Sequence, residues 1–247
     1  MSRRIHAVLA IIFALPLLLI SVSGALLGFA RESDRIIHVD LVSAPLSSAP
    51  MQKLETLQAL VQTHYPERRI VEAHPAKTPF DSTMFVMRDA QNTLYEVFIH
   101  TQTGEIRGSR LAESSFYAQM QRIHTTLALG DAGIWLTRFA ALGLLLTSLS
   151  GLILRRQIYQ KSLNARVHPL LGMTVAPVLL LIALSGVLIA FSTAPNAWLH
   201  QLHTGELFAM PGRILWVLAS LAVPLLVSGG IASYRARMKS NKEHHHV

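Results

Sequence analysis

Histidine is the residue of this chain most able to do chemistry, and its placement is regular. The chain has 12 histidines and no cysteine, so metal chemistry must come from imidazole, thioether or carboxylate, and disulfides and thiolate sites are excluded. Set RIHAVLAIIFALPLLLISVSGALLGF (4–29) beside RVHPLLGMTVAPVLLLIALSGVLIAF (166–191). At a constant offset Arg4, His6, Ser23, Gly24 and Phe29 fall on Arg166, His168, Ser185, Gly186 and Phe191. A second, weaker repeat places His124-Thr125 on His203-Thr204, Gly133 on Gly212 and Gly151 on Gly230. Four histidines thus form two matched pairs, His6 with His168 and His124 with His203. Two neutral imidazoles facing each other across a helical bundle can ligate one metal or one haem iron. The bland alternative is a set of histidines resting in the lipid headgroup zone, and His200, one turn before His203, is a second candidate for its role.

The elements that must carry these residues are apolar. Hydrophobic residues make up 51% of the chain, clustered in runs long enough to cross a bilayer: the first about thirty residues, then 133–154, 169–191 and 214–233. The first run also resembles a signal peptide, with Arg3 and Arg4 ahead of it. Its likeness to the internal third run argues that it is retained as a transmembrane helix. The expected order is transmembrane helix 1 (1–30), a polar region (31–112), an interfacial amphipathic segment (113–132), and transmembrane helices 2 (133–156), 3 (168–191) and 4 (212–235). Residues 192–211 form a loop between the last two, and 236–247 a tail ending in His244, His245 and His246.

The net charge of +8 does not point to nucleic acid, because the basic residues flank the spans. Arg3, Arg4, Arg155, Arg156, Lys161, Arg166, Arg235, Arg237, Lys239 and Lys242 fall on one side if the helices alternate. That is the positive-inside pattern, with both termini cytoplasmic and residues 31–122 outside. His6 and His168 then stand at the cytoplasmic edge, and His124 and His203 at the outer one. Arg138 and Arg213, also outer, can pair with carboxylates of a bound group or reach lipid phosphate. Ser23-Gly24, Ser150-Gly151, Ser185-Gly186 and Gly229-Gly230 let helices approach closely or make room for a porphyrin face.

In the polar region, residues 51–64 place Leu54, Leu57, Leu60 and Val61 on one helical face. RRIVEAH (68–74), TMFVMR (83–88) and TLYEVFIH (93–100) read as strands, the last two joined by a turn at Asp89-Ala90-Gln91-Asn92. A further strand follows in 101–110. One helix against a three- or four-stranded antiparallel sheet makes a small α+β domain. Residues 31–50 read as a linker, and His38, His64, His74 and His100 as solvated surface residues.

LYEVFIHTQTGEI (94–106) resembles the end of a PepSY domain. RVHPLLGM, RIHTTLALGDAG and LHQLHTGEL resemble the PepSY-associated transmembrane helix family, which includes FoxB-type ferric-siderophore reductases of the bacterial inner membrane. The resemblance implies a mostly α membrane protein, a four-transmembrane-helix bundle with a small periplasmic α+β PepSY-like domain between helices 1 and 2. It implies haem b, one or two per chain, on His6, His124, His168 and His203. It also implies electron delivery to a ferric chelate or siderophore in the periplasm, from a quinol or a cytoplasmic reductase. The insert that many members carry between helices 3 and 4 is short here. No GxGxxG follows a strand, so no nicotinamide or flavin site is expected. The alternatives are a membrane-anchored PepSY module that regulates a partner without haem, and a haem sensor or transporter without turnover.

Distance is the difficulty with two centres. A continuous helix from His124 to Arg155 would span roughly 46 Å, too far for efficient electron transfer between its ends. Turns at Gly130–Gly133 and Pro211–Gly212 would have to fold His124 and His203 back toward the bundle.

Overall fold

The computed structural model describes residues 3–154, 167–194 and 196–244. Arg155, Arg156, Lys161, Arg166, His245 and His246 lie outside the described residues, and with them part of the charge pattern. The chain divides into two compact units, Met1–Gly28 with Met120–Val247, and Phe29–Gln119.

The first unit is helical. Three of its segments are long and apolar enough to cross a membrane: α7 (Gly130–Ile153), α8 (Val167–Phe191) and the stretch Glu206–Arg235. Most of that stretch belongs to α10 (Ala209–His244). A fourth crossing exists if α1 (Arg3–Ile12) and α2 (Ala14–Leu27), bent by 65° at their junction, count as one broken span. The expected single helix over 1–30 is therefore interrupted. The break falls at Phe13, whose ring occupies the place where Gly143 of α7 lacks a β-carbon. A core of Leu17, Ala140, Leu179, Ala219 and Val223 joins α2, α7, α8 and α10 at mid-height. Its two alanines keep the helices close, as membrane packing favours.

Two short helices precede long ones in the same way. α6 (Phe116–Thr126) turns into α7 through Leu127 and Ala128, at φ 50° and 58°. α9 (Ala197–Thr204) turns into α10 through Gly205 at φ 77°, a 3-10 turn over Glu206–Phe208, and Ala209 at φ 52°. The turns stand a few residues earlier than expected: Gly133 and Gly212 belong to the first turns of α7 and α10. Left-handed residues at both places end the short helices, since that conformation cannot continue a right-handed helix. The Asn196 side chain caps α9 by accepting from Leu199 N–H at 3.1 Å.

The second unit is α+β. Strands β1 (Arg69–His74), β2 (Ser82–Arg88), β3 (Leu94–His100) and β4 (Ile106–Leu111) form an antiparallel sheet in the order β1-β2-β3-β4. Phe85 and Met87 of β2 and Val97 and Ile99 of β3 alternate onto one face and are buried there with Leu57 and Val61 of α5 (Leu54–His64). Each such side chain contributes roughly 1.5–3 kcal/mol. Leu60 stands 41% exposed, so the buried stripe is narrower than expected.

Two expectations for this unit are corrected. Residues 31–50 are not simply a linker: α3 (Ala30–Ile37) and α4 (Val39–Val42) occupy its first half. Arg110 of β4 fastens α3 by donating to both carboxylate oxygens of Asp34, at 2.9 and 2.6 Å, while its Nε donates to Glu96 of β3 at 2.7 Å. Arg35 pairs with Asp81 as well. His100 is not a surface residue but is buried. One ring nitrogen donates to Pro45 O at 2.8 Å, and the other accepts from Gln102 and Thr103 N–H at 3.2 and 3.3 Å.

Candidate functional site

The first unit brings the four expected histidines together as two facing pairs. The ring centres of His6 (α1) and His168 (α8) are 6.4 Å apart, and those of His124 (α6) and His203 (α9) 6.1 Å. Imidazole–metal bonds are about 2.0 Å long, so one ion held between two ring nitrogens sets the ring centres roughly 6.3 Å apart. Both pairs have that spacing. Among the described residues no group of three or more histidine, aspartate or glutamate side chains is arranged around a metal ion. Each pair could offer at most two protein ligands to a metal.

Each ring lies on a seat of small residues. A β-carbon on Gly24 would stand 2.8 Å from His124 Cε1, and one on Gly186 2.9 Å from His203 Cε1. Gly151 faces His6 at 3.8 Å, and Gly230 faces His168 at 3.4 Å. The four small-residue pairs of the sequence thus receive one imidazole each, a more specific role than helix approach.

The seats also orient the rings. His124 Nδ1–H donates to Ile20 O at 2.9 Å, and His203 Nδ1–H to Ile182 O at 3.1 Å. Ser23 and Ser185 send their hydroxyl protons back to Leu19 O and Leu181 O, leaving oxygens 3.4 and 3.2 Å from the same two nitrogens. His6 Nδ1 donates to Ser150 Oγ at 2.6 Å, because that hydroxyl is already committed to Thr147 O. In these three rings the proton is fixed on Nδ1 and Nε2 keeps its lone pair. A hydrogen bond on one ring nitrogen is what readies the other as a metal ligand.

Helices α6 and α9 lie outside the spanning segments, yet their histidines are enclosed. Burial pushes the pKa of both His124 and His203 down; at His203 the neighbouring His124 adds to the effect, and the Ile182 carbonyl opposes it. Both are neutral near pH 7, the ligating form. His200 is exposed, so of the two candidates on α9 it is His203 that meets His124.

The turns before α7 and α10 bring His124 and His203 back against α2 and α8. On α8 the His203 ring lies beside Ile182 and Gly186, fourteen to eighteen residues beyond His168. At 1.5 Å per residue that is about 21–27 Å, little more than half the separation expected for an unbroken helix. Beside His6 and His168 opens a largely apolar cleft, lined in part by Arg3, Leu144, Met173, Ala176 and Tyr234.

The two arginines have other contacts. Arg138 lies over the rings of Trp135 and Phe191, at 4.8 and 5.2 Å. Arg213 Nε donates to Gly28 O at 3.1 Å, joining α10 to the end of α2.

No curated protein matches the chain. A family model described as PepSY-associated TM region matches residues 3–197, most of the chain, and the chain belongs to that family.

Proposed function

We propose that this multi-pass membrane protein carries haem b on its two histidine pairs and passes electrons across the bacterial inner membrane to ferric iron in the periplasm. The observation that carries the reading is the spacing of the pairs: two sets of facing imidazoles, each 6.1–6.4 Å between ring centres, separated along the bundle. Bound haem supplies a one-electron couple. The residues do the rest. Ile20 and Ile182 carbonyls and the Ser150 hydroxyl hold the tautomers of His124, His203 and His6. The small-residue seats fix ring positions.

The charge pattern of the sequence supports an inner end at His6 and His168 and an outer end at His124 and His203, with residues 31–122 periplasmic. The FoxB-type resemblance supports a ferric chelate or siderophore as acceptor. Reduction weakens the hold of a hard oxygen chelator on iron, which would release it for uptake. A membrane quinol or a reductase partner serves as donor.

The test is a reduced-minus-oxidised absorption spectrum of detergent-purified, haem-replete protein, with haem counted per chain. A bis-histidine b-type spectrum near two haems per chain, halved in His6→Ala or His168→Ala and equally in His124→Ala or His203→Ala, is expected. Haem-free protein would remove the electron-transfer reading and leave a PepSY-type regulatory module in its place.

A further inference from the structure

Among the described residues of the first unit, Thr137 Oγ1 on α7 and Trp216 Nε1 on α10 are buried without a hydrogen-bond partner. Hydroxyls on the spanning helices usually bond a carbonyl one turn back, as Thr147 does to Gly143 O, Thr174 to Leu170 O and Ser185 to Leu181 O. Thr137 does not. Leaving such a group buried and unpaired is costly, so each orphan asks for a missing partner.

The orphans occupy equivalent places. The offset that carries His124 onto His203 and Gly133 onto Gly212 also carries Thr137 onto Trp216 and Ala140 onto Ala219. Gly133 abuts the Thr126 carbonyl and Gly212 the Gly205 carbonyl, each two residues past a histidine of the outer pair. Thr137 and Trp216 stand one turn further along the same helix faces. A β-carbon on Gly205 would lie 3.0 Å from Trp216 Cγ, which puts the indole against the end of α9. From below, the level is bounded by the core cluster of Ala140 and Ala219. Ile20 and Ile182, whose carbonyls hold the outer imidazoles, pack on that same cluster. The two orphans therefore flank the His124–His203 pair at its own height.

Both can donate, and indole N–H can only donate. The missing partner must present acceptors. Outside its ring nitrogens, a porphyrin presents them as carboxylates. We propose that Thr137 and Trp216 are cofactor-binding residues that donate hydrogen bonds to the carboxylates of a porphyrin held between His124 and His203. The assignment rests on the haem reading above and adds to it the residues that would hold the edge of the outer group.

The test uses full-length, haem-loaded protein in detergent, in a His6→Ala background so that only the outer centre is filled. Haem transfer to excess apomyoglobin and the midpoint potential are measured for Thr137→Val, Trp216→Phe and Thr137→Ser. The valine and phenylalanine variants should lose haem about tenfold faster each, as expected for a hydrogen bond to a charged group. Their potential should fall, because a carboxylate without its donor favours the oxidised iron. The serine variant, which keeps the hydroxyl, should match the parent. Unchanged loss and potential in both variants would overturn the assignment while leaving the haem reading intact. Faster loss at an unchanged potential would mark a packing role and also overturn it. Haem-free parent protein would overturn both.

Discussion

His203 rests on Gly186 so closely that one added carbon would collide with it: a β-carbon there would stand 2.9 Å from His203 Cε1. His124 on Gly24 is the same arrangement at 2.8 Å. Alanine normally helps a helix by about 1 kcal/mol over glycine, so the sign of the effect separates seat from filler. Gly186→Ala and Gly24→Ala should each displace an imidazole and lose about half the haem, an estimate that treats the two centres as independent. Gly172→Ala, where the nearest atom would be Leu226 Cδ2 at 3.6 Å, should leave haem content unchanged. Pyridine haemochromogen assays on the three variants decide it.

The two histidines of α9 should differ completely. His203→Ala removes the ring partner of His124, whereas His200 is exposed. Its replacement by alanine should leave the reduced-minus-oxidised spectrum as it was. Equal loss in both variants would show that the pairing of His124 with His203 is not the ligand set.

Asp34 and Glu96 share Arg110 but titrate in opposite directions. Burial disfavours the charged form of both. At Asp34 the bonds from Arg110 and His38 outweigh burial and hold the carboxyl below its ordinary 3.8. At Glu96 burial and the nearby Asp34 prevail over Arg110 and hold it above its ordinary 4.5. The Asp34 contribution is therefore present above pH 3.8 and lost as pH falls through its lower folded value. Glu96 contributes at low pH and loses that contribution as pH rises through its raised value. Asp34→Asn should destabilise at pH 7 by about 1–3 kcal/mol, while Glu96→Gln should be neutral or stabilising there. Arg110→Met, which strands two half-buried carboxylates, should cost about 1–3 kcal/mol. Thermal melts of the purified chain between pH 4 and 7 read these differences.

His100 tests the division between structural and ligating histidines. Its ring satisfies Pro45 O, Gln102 N–H and Thr103 N–H inside the second unit. His100→Ala should lower stability by about 2–4 kcal/mol through orphaned groups and a cavity, with haem per chain unchanged. A loss of haem at constant stability would contradict the structural role.

The histidine pairs were legible in the sequence because a repeat keeps its register, and chance seldom places the same ligand twice in register. The strands and α5 were legible for a similar reason: alternation in MFVM and EVFI and the spacing of Leu54, Leu57 and Val61 are local signals. What escaped was set by distant partners. Pro16 cannot donate to the Ile12 carbonyl and so marks a place for a break. Pro177 and Pro224, however, stand inside continuous helices, and the packing of Phe13 on Gly143 that accompanies the bend lies far along the chain. The helicity of Ala30–Ile37 lay beneath a polar surface, and its anchor, Arg110, comes 76 residues after Asp34. His100 looked exposed because its carbonyl partner lies across the fold at Pro45. The Ser-Gly pairs were visible, but only the structure ties each one to an imidazole.

Each facing pair joins histidines far apart in the chain: 6 with 168, and 124 with 203. During synthesis neither pair can close until the third long helix has emerged, so on the proposed function haem capture would be a late event of biogenesis. On the proposed function, two bound haems would act as cross-links between distant stretches of the chain, and resistance to unfolding would rise with haem supply. A cell short of haem would then hold a looser protein as well as an idle one, open to the proteases that clear unfinished membrane proteins.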